Sequence, residues 1–156
     1  MLVQGIEKMN AEAARFARGL VPHTDRATVV ALSGDLGAGK TAFVKGVAKA
    51  LGVAEHVTSP TFVIMKIYHL HDQKFDQLVH IDAYRLKGEH HLKVLGWEEL
   101  LIDPKNLIMM EWPEEAGGAI PPDALRISFR YSGDNELTIS YEGEYEREGA
   151  QTVGIA

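Results

Sequence analysis

A glycine-rich stretch in the first third of the chain has the residue types and spacing needed to hold a triphosphate. Residues 34–41 read Gly-Asp-Leu-Gly-Ala-Gly-Lys-Thr, which matches the pattern G-x-x-x-x-G-K-[ST] of a phosphate-binding loop. Its glycines allow backbone conformations that turn successive N–H groups towards one anion. Lys40 is expected to reach the β- and γ-phosphates, and the Thr41 hydroxyl is expected to bind Mg²⁺. The predicted nucleotide-binding residues of this loop are Asp35, Leu36, Gly37, Ala38, Gly39, Lys40 and Thr41.

The residues on either side decide whether this loop is a nucleotide site or only a glycine-rich turn that caps a helix. Residues 27–32 form a short apolar run rich in β-branched side chains, as expected of a buried parallel strand. After the loop, apolar side chains recur at helical spacing from Phe43 to Leu51, and Gly52 stands where a helix normally ends. A phosphate-binding loop requires this order of strand, loop and helix, so we favour the nucleotide site.

Two carboxylates are candidates for the catalytic and metal-binding groups that such a loop needs. Glu111 follows the apolar run Leu107–Met110, so we expect it at the carboxyl end of a buried strand, where such sheets bind ligands. Asp82 ends the run 78–81 in the same manner and could hold metal or orient the attacking water. An aspartate that starts a turn explains Asp82 equally well. We interpret His80 as a core or surface histidine, because no other histidine lies at metal-site spacing from it.

Several other side chains are weaker candidates for the same site. The hydroxyls of Thr58, Ser59 and Thr61 could sense a γ-phosphate or a metal ion, although a proline-containing turn explains them better when they are taken alone. Trp112 could stack on a ligand, but a large aromatic side chain beside an apolar strand more often serves packing. Arg85 could pair with a phosphate or a carboxylate. The chain has no Asn-Lys-x-Asp stretch that would read guanine, so ATP is the expected nucleotide.

The composition limits the class of protein and the kinds of partner. The 156 residues suit one domain with a substantial core. A net charge of −6 argues against tight, independent binding of RNA or DNA, which usually needs a basic face. The absence of cysteine excludes disulfides and thiolate metal sites. No apolar run approaches the roughly 20 residues that cross a bilayer, and the first residues lack the build of a secretion signal, so we expect a cytoplasmic protein.

Helix and strand patterns along the chain predict the elements that position these side chains. Apolar residues recur every three or four positions from Ile6 to Leu20, which predicts an amphipathic helix. Paired apolar runs predict two antiparallel hairpins, one over residues 62–81 with a four-residue loop and one over residues 125–141. One or two short helices are expected in residues 86–101, and the tail from about Gly143 is expected to fray. The pattern as a whole predicts an α/β protein with a mixed sheet and helices on its faces.

Five motifs, taken in order, resemble those of the bacterial TsaE (YjeE) proteins. These are small P-loop ATPases required for making threonylcarbamoyladenosine in tRNA. The first motif is shared by many nucleotidases, whereas the ordered set is specific and spans most of the chain. The motifs are residues 34–41; Thr58-Ser59-Pro60-Thr61-Phe62; His80-Ile81-Asp82-Ala83-Tyr84-Arg85-Leu86; Gly96-Trp97-Glu98-Glu99; and Glu111-Trp112-Pro113-Glu114. Residues 87–91 and the tail from Gly143 match no motif of the family.

This resemblance implies a fold, an activity and a set of partners. The fold would be a single P-loop NTPase domain over residues 1–156, an α/β/α sandwich of three layers with a mixed, mainly parallel sheet and antiparallel hairpins. The activity would be hydrolysis of ATP to ADP and phosphate with Mg²⁺, weak without partners. The family works with the TsaD and TsaB proteins, where the transfer to adenosine 37 of tRNA takes place. Contact with tRNA would be indirect, which agrees with the acidic net charge, and no contact with DNA or membranes is implied.

The resemblance also assigns roles to individual residues. It implies that Lys40, Asp82 and Glu111 are the catalytic residues. For Asp82, where spacing alone does not separate a functional carboxylate from a turn-starting aspartate, the resemblance favours the functional one. The metal ligands would be Thr41, Asp82 and Glu111. Thr61 would belong to a switch-like segment next to the nucleotide, and Trp112 would contact the nucleotide and matter for activity.

Two other classes of function remain open from the sequence. A stand-alone small-molecule kinase would use the same loop, but it would need a second substrate pocket and usually an arginine-rich lid. The arginines of this chain are scattered instead. A nucleotide-binding adaptor that does not hydrolyse would leave Asp82 and Glu111 without a role.

Overall fold

The computed structural model describes residues 2–35, 39–55, 57, 64–86, 88–131, 136–143 and 151–154. Several predicted site residues lie outside these ranges. They are Leu36, Gly37, Ala38, Thr58, Ser59 and Thr61. No helix within the described ranges is long and apolar enough to cross a membrane.

A single mixed sheet runs through the described part of the chain, with the strand order β2-β3-β4-β1-β5-β6-β7. The central pairings β3–β4, β4–β1 and β1–β5 are parallel, and the outer pairings β2–β3, β5–β6 and β6–β7 are antiparallel. The strands are β1 (Thr28–Gly34), β2 (Met65–His69), β3 (Gln77–Asp82), β4 (Asn106–Glu111), β5 (Leu125–Tyr131), β6 (Glu136–Glu142) and β7 (Gln151–Gly154). The mixed sheet and both antiparallel hairpins of the sequence prediction are confirmed.

Helices cover both faces of this sheet and confirm the predicted α/β/α layers. The long helices α1 (Leu2–Gly19) and α2 (Lys40–Ala50) share one apolar core with the sheet. The short helices α3 (Glu89–Val94) and α4 (Trp97–Leu101) lie in a second apolar core on the other face. Two 3₁₀ segments, Ala83–Arg85 and Pro113–Ala119, follow β3 and β4 directly. These segments therefore start at the carboxyl ends of parallel strands, where α/β sheets place their ligands.

Helices α1 and α2 pack closely because a glycine lies at their crossing. A Cβ atom on Gly46 would come within 2.7 Å of the Ala13 Cβ, closer than real contacts allow. The rings of Phe16 and Phe43 lie 5.4 Å apart across the same interface, in a tilted arrangement. Burial of these aromatic side chains fixes α2, and with it the residues at its N-terminus, against the sheet.

The structure differs from the sequence prediction in one loop and in the tail. The first hairpin has β2 beginning at Met65, and seven residues, 70–76, join β2 to β3 in place of the predicted four. The tail, expected to fray, contains β7, which pairs antiparallel with β6. Strand pairing of this kind satisfies backbone N–H and C=O groups without any apolar pattern in the added strand, so periodicity could not predict it.

Candidate functional site

The site begins where α2 starts, immediately after the phosphate-binding loop. Gly39 caps α2 with a left-handed backbone (φ 97°), and its carbonyl accepts the first helical hydrogen bond from Phe43 N–H at 2.9 Å. A Cβ at Gly39 would lie 3.0 Å from Leu137 Cδ2 and 3.2 Å from Met9 Cε, which are tips of flexible side chains, so the left-handed backbone angle is the main reason for glycine here. Lys40 and Thr41 are therefore the first two residues of α2, where free amides and the helix dipole attract anions.

The ammonium group of Lys40 is buried and held by several partners. Its Nζ donates to the carbonyl oxygen of Asp35 at 3.0 Å and also to that of Gly34. The same atom lies 4.1 Å from the centre of the Trp112 ring, in cation–π geometry. Lys40 as a whole is only 4% exposed. The partners fix the end of this long side chain next to the loop that is expected to carry the phosphates.

Burial lowers the pKa of Lys40 below that of a free lysine, because the charged form is less well solvated inside the protein. Four nearby carboxylates oppose this shift and favour the ammonium form. They are Glu111, Glu114, Asp35 and Asp82. Their influence shows that the acidic groups gather around the lysine.

Glu111 lies at the end of β4 and touches α2 and β3 together. Its side chain is 3% exposed. The hydroxyl oxygen of Thr41 lies 3.0 Å from each of the two carboxylate oxygens. Nε2 of His80, which is fully buried, lies 2.6 Å from Oε2. The first turn of α2 and the last residue of β4 therefore form one cluster of oxygen ligands.

Strand register explains how His80 and Glu111 meet. In the parallel pair β3–β4, His80 lies beside Met109 and Asp82 beside Glu111. Side chains two residues apart on a strand share a face, so all four point towards the side of the sheet that α2 covers. His80 and Glu111 are diagonal neighbours on that face, within reach of long side chains.

Asp82 lies on the strand next to Glu111, and one of its contacts is with the backbone. Its Oδ1 accepts a hydrogen bond from Tyr84 N–H at 3.0 Å, and it caps the 3₁₀ segment that follows β3. The turn-starting interpretation of this aspartate is therefore correct. Asp82 is also 5% exposed and contributes to the field around Lys40, so its part in catalysis and metal binding stays a prediction.

Trp112 turns the chain sharply after β4. Its backbone is left-handed (φ 58°, ψ 52°), and Pro113 follows as the first residue of a 3₁₀ segment. The Trp112 ring lies over Lys40 and has its centre 5.2 Å from the centre of the Tyr84 ring. The tryptophan thus packs on two side chains of the site, and its contact with a nucleotide stays a prediction.

The donor set fits a magnesium ion. Mg²⁺ prefers oxygen ligands and is usually held by one or two protein groups together with phosphates and water. The Thr41 hydroxyl and the Glu111 carboxylate are two such groups in direct contact. Across the described ranges, no cluster of three or more His, Cys, Asp and Glu residues forms a closed metal cage. An open site of this kind leaves room for phosphate oxygens as further ligands.

The structure thus brings Lys40, Thr41, Glu111 and Trp112 together beside Gly39 and Asp35, as the sequence predicts. Their roles in binding and catalysis stay predictions, as do those of Leu36, Gly37, Ala38 and Thr61, which lie outside the described residues. His80 is the contact that the sequence analysis missed. The available signal was its position two residues before Asp82, which puts both on one face of a strand.

Comparison with a family model and with individual known proteins leads to the same family. The family model "Threonylcarbamoyl adenosine biosynthesis protein TsaE" matches residues 7–139. A "tRNA threonylcarbamoyladenosine biosynthesis protein TsaE" from Treponema pallidum is 32% identical over 137 residues, covering 86% of this chain and 98% of that protein. The protein of the same name from Borreliella burgdorferi is 37% identical, covering 70% of this chain and 77% of its own.

A solved structure supports the same assignment. The crystal structure of YdiB from Bacillus subtilis matches with a TM-score of 0.68 and 30% sequence identity, covering 96% of this chain and 80% of YdiB. The family model spans most of the chain, including the strand, the loop and the helix of the phosphate-binding motif and the carboxylates of β3 and β4. This chain therefore belongs to the TsaE family of tRNA threonylcarbamoyladenosine biosynthesis proteins.

Proposed function

We propose that this protein binds and hydrolyses Mg-ATP, and that it does so as an accessory to the TsaD–TsaB complex that forms the threonylcarbamoyl group on adenosine 37 of tRNA. The observation that carries the proposal is the contact of Thr41 with Glu111. The hydroxyl of the phosphate-binding loop lies 3.0 Å from both oxygens of the strand-end carboxylate, and Lys40 is the residue before Thr41 in the same helix.

Each of these groups has a distinct role in the proposed reaction. Lys40 balances the negative charge of the β- and γ-phosphates, and burial strengthens that interaction. Thr41 and Glu111 would be the protein ligands of Mg²⁺, and Asp82 would orient the attacking water or hold the ion as well. The bound Mg²⁺ would supply positive charge that stabilises the phosphate oxygens during transfer.

The proposed partners rest on the resemblance to the family, and the charge of the chain supports them. A net charge of −6 does not suit a protein that grips tRNA by itself. We therefore assign the contact with tRNA to TsaD and TsaB, and we assign to this protein the hydrolysis that serves turnover of the assembly. Function in the cytoplasm, where tRNA is modified, belongs to the same proposal.

The test is a measurement of phosphate release from Mg-ATP with the protein alone, with TsaD and TsaB added, and with a panel of small phosphoryl acceptors. We expect slow release by the protein alone and faster release with the two partners. Lys40→Ala, which removes the ammonium, should abolish the release in both cases. Transfer of phosphate to a small acceptor would favour a kinase and refute the proposal. Binding of ATP without any hydrolysis would favour an adaptor and also refute it.

A further inference from the structure

We propose that His80 is a positioning residue, which fixes the Glu111 carboxylate in the orientation that holds Mg²⁺. The inference rests on the proposed function and extends it to a residue that does not itself touch nucleotide or metal. It starts from one contact, in which Nε2 of His80 lies 2.6 Å from Glu111 Oε2.

The contact is well placed to control the carboxylate. His80 is fully buried and Glu111 is 3% exposed, so water does not compete for the hydrogen bond. Among the described residues, the other hydrogen-bond donor to Glu111 is Thr41, which is itself a proposed ligand of the ion. His80 is therefore the partner that can hold the carboxylate in place when Thr41 and Glu111 both turn to the metal.

The second nitrogen of His80 makes no hydrogen bond within the described part of the chain. There Nδ1 is buried and has no partner. A carboxylate only accepts hydrogen bonds, so Nε2 carries a proton and donates it in the hydrogen bond to Glu111. A buried polar atom without a partner is a cost that a leucine at this position would avoid. We attribute the presence of a histidine here to its effect on Glu111.

The neighbourhood of His80 favours a role in positioning Glu111 over a role in core packing. On the same face, Leu78 and Leu107 precede His80 and Met109 lies beside it, and all three belong to the apolar core under α1 and α2. His80 is where this apolar face changes to polar, one step before Asp82 and Glu111. Partners in the outer shell of a metal site typically change metal affinity or activity by about 10–100-fold when they are removed.

The test uses three substitutions that differ in the position of one N–H group. His80→Gln places an amide N–H₂ at the same distance along the side chain as Nε2. His80→Met has nearly the same length and shape as glutamine but no donor. His80→Asn carries an amide that reaches only as far as Nδ1, which does not contact Glu111. Leu78→Ala is the control for a packing defect on the same face of the same strand.

The first readout is binding of a fluorescent ATP analogue with excess EDTA and over a titration of Mg²⁺. Mg²⁺ should strengthen binding of the ATP analogue, and for His80→Met we expect the Mg²⁺ concentration that gives half of this effect to rise about tenfold. The affinity for the analogue measured with excess EDTA should change less than about threefold. His80→Asn should behave like His80→Met, and His80→Gln like the original protein. Leu78→Ala should lower the thermal midpoint without moving the Mg²⁺ midpoint.

Several outcomes would overturn the inference. An unchanged Mg²⁺ midpoint in His80→Met would do so, as would equal weakening of binding with and without the ion, since that is the mark of a structural defect. Identical behaviour of the Gln and Met variants would also refute it. Should His80→Met fail to fold, the comparison of Asn with Gln decides the matter alone. A failure of the proposed function looks different, because the original protein would then show no Mg²⁺-dependent nucleotide binding at all.

Discussion

Glu111 offers a prediction in which catalysis and stability separate. We compare Glu111→Gln, which keeps the volume and one acceptor oxygen, with Glu111→Ala, which removes both. In Glu111→Gln the side-chain oxygen still accepts a hydrogen bond from Thr41 or His80, while the negative charge is lost. In Glu111→Ala, Nε2 of His80 loses its hydrogen-bond partner. Nδ1 already has none among the described residues, so the whole ring is left unpartnered there.

The expected magnitudes follow from these contacts. A buried group left without a partner costs about 1–3 kcal/mol, and the cavity left by a buried side chain adds a similar amount. Glu111→Ala should therefore lower the free energy of unfolding by about 2–6 kcal/mol, or the thermal midpoint by about 4–24 °C for a chain of this size. Glu111→Gln should change the free energy of unfolding by less than about 1 kcal/mol. Loss of the charge at the metal should lower kcat in both variants by about 10²–10³-fold.

The assay measures phosphate release with TsaD and TsaB present, together with urea unfolding and binding of an ATP analogue. Nucleotide affinity should fall less than tenfold in both variants, because Lys40 and the loop amides remain. Glu115→Gln is the matched control, since it makes the same chemical change at an exposed position close by. Turnover retained in Glu111→Gln would refute the assignment of this carboxylate to the metal. Equal destabilisation in the two variants would refute the hydrogen-bond reasoning.

Two further predictions concern Lys40 and the crossing of α1 with α2. Because burial lowers the pKa of Lys40, the unfolded chain holds this proton more tightly, and the penalty of the buried charge disappears as pH rises through the folded pKa towards 10.5. From about pH 8 to 10.5, the free energy of unfolding measured in urea should rise for the original protein relative to that of Lys40→Met. If the free energies of the two proteins change with pH in parallel, the prediction is wrong. Gly46→Val should lower the free energy of unfolding by about 1–3 kcal/mol, because its Cβ meets Ala13. Ala50→Val, at an exposed position of the same helix, should change it by less than about 1 kcal/mol.

The parts of the site that are local in sequence were predictable. The loop from Gly34 to Thr41 is a contiguous motif, and its strand and helix follow from periodicity in the residues on either side. Glu111 was predictable because a carboxylate after an apolar strand falls at one known edge of a parallel sheet. These inferences need no knowledge of which strands are neighbours.

The parts that depend on strand pairing were not predictable. His80 reaches Glu111 only because β3 and β4 are adjacent and Asp82 lies beside Glu111, and sequence periodicity contains neither the order nor the register of strands. The strand β7 was missed for the same reason, since it joins the edge of β6 through backbone hydrogen bonds. Periodicity therefore identified the apolar face of a strand, but it could not predict which strands are neighbours or which residues lie side by side.

Trp112 shows how the fold tolerates local strain to complete this site. A left-handed backbone at a residue other than glycine costs roughly 1–3 kcal/mol, and the proline that follows disfavours helical angles at the residue before it. The strained turn comes directly after Glu111 and sets the indole 4.1 Å from the Lys40 ammonium. A relaxed, extended residue at this position would continue the direction of β4 and delay the turn. We therefore attribute the strained turn to the placement of the Trp112 ring, which packs on the loop lysine directly after the strand-end carboxylate.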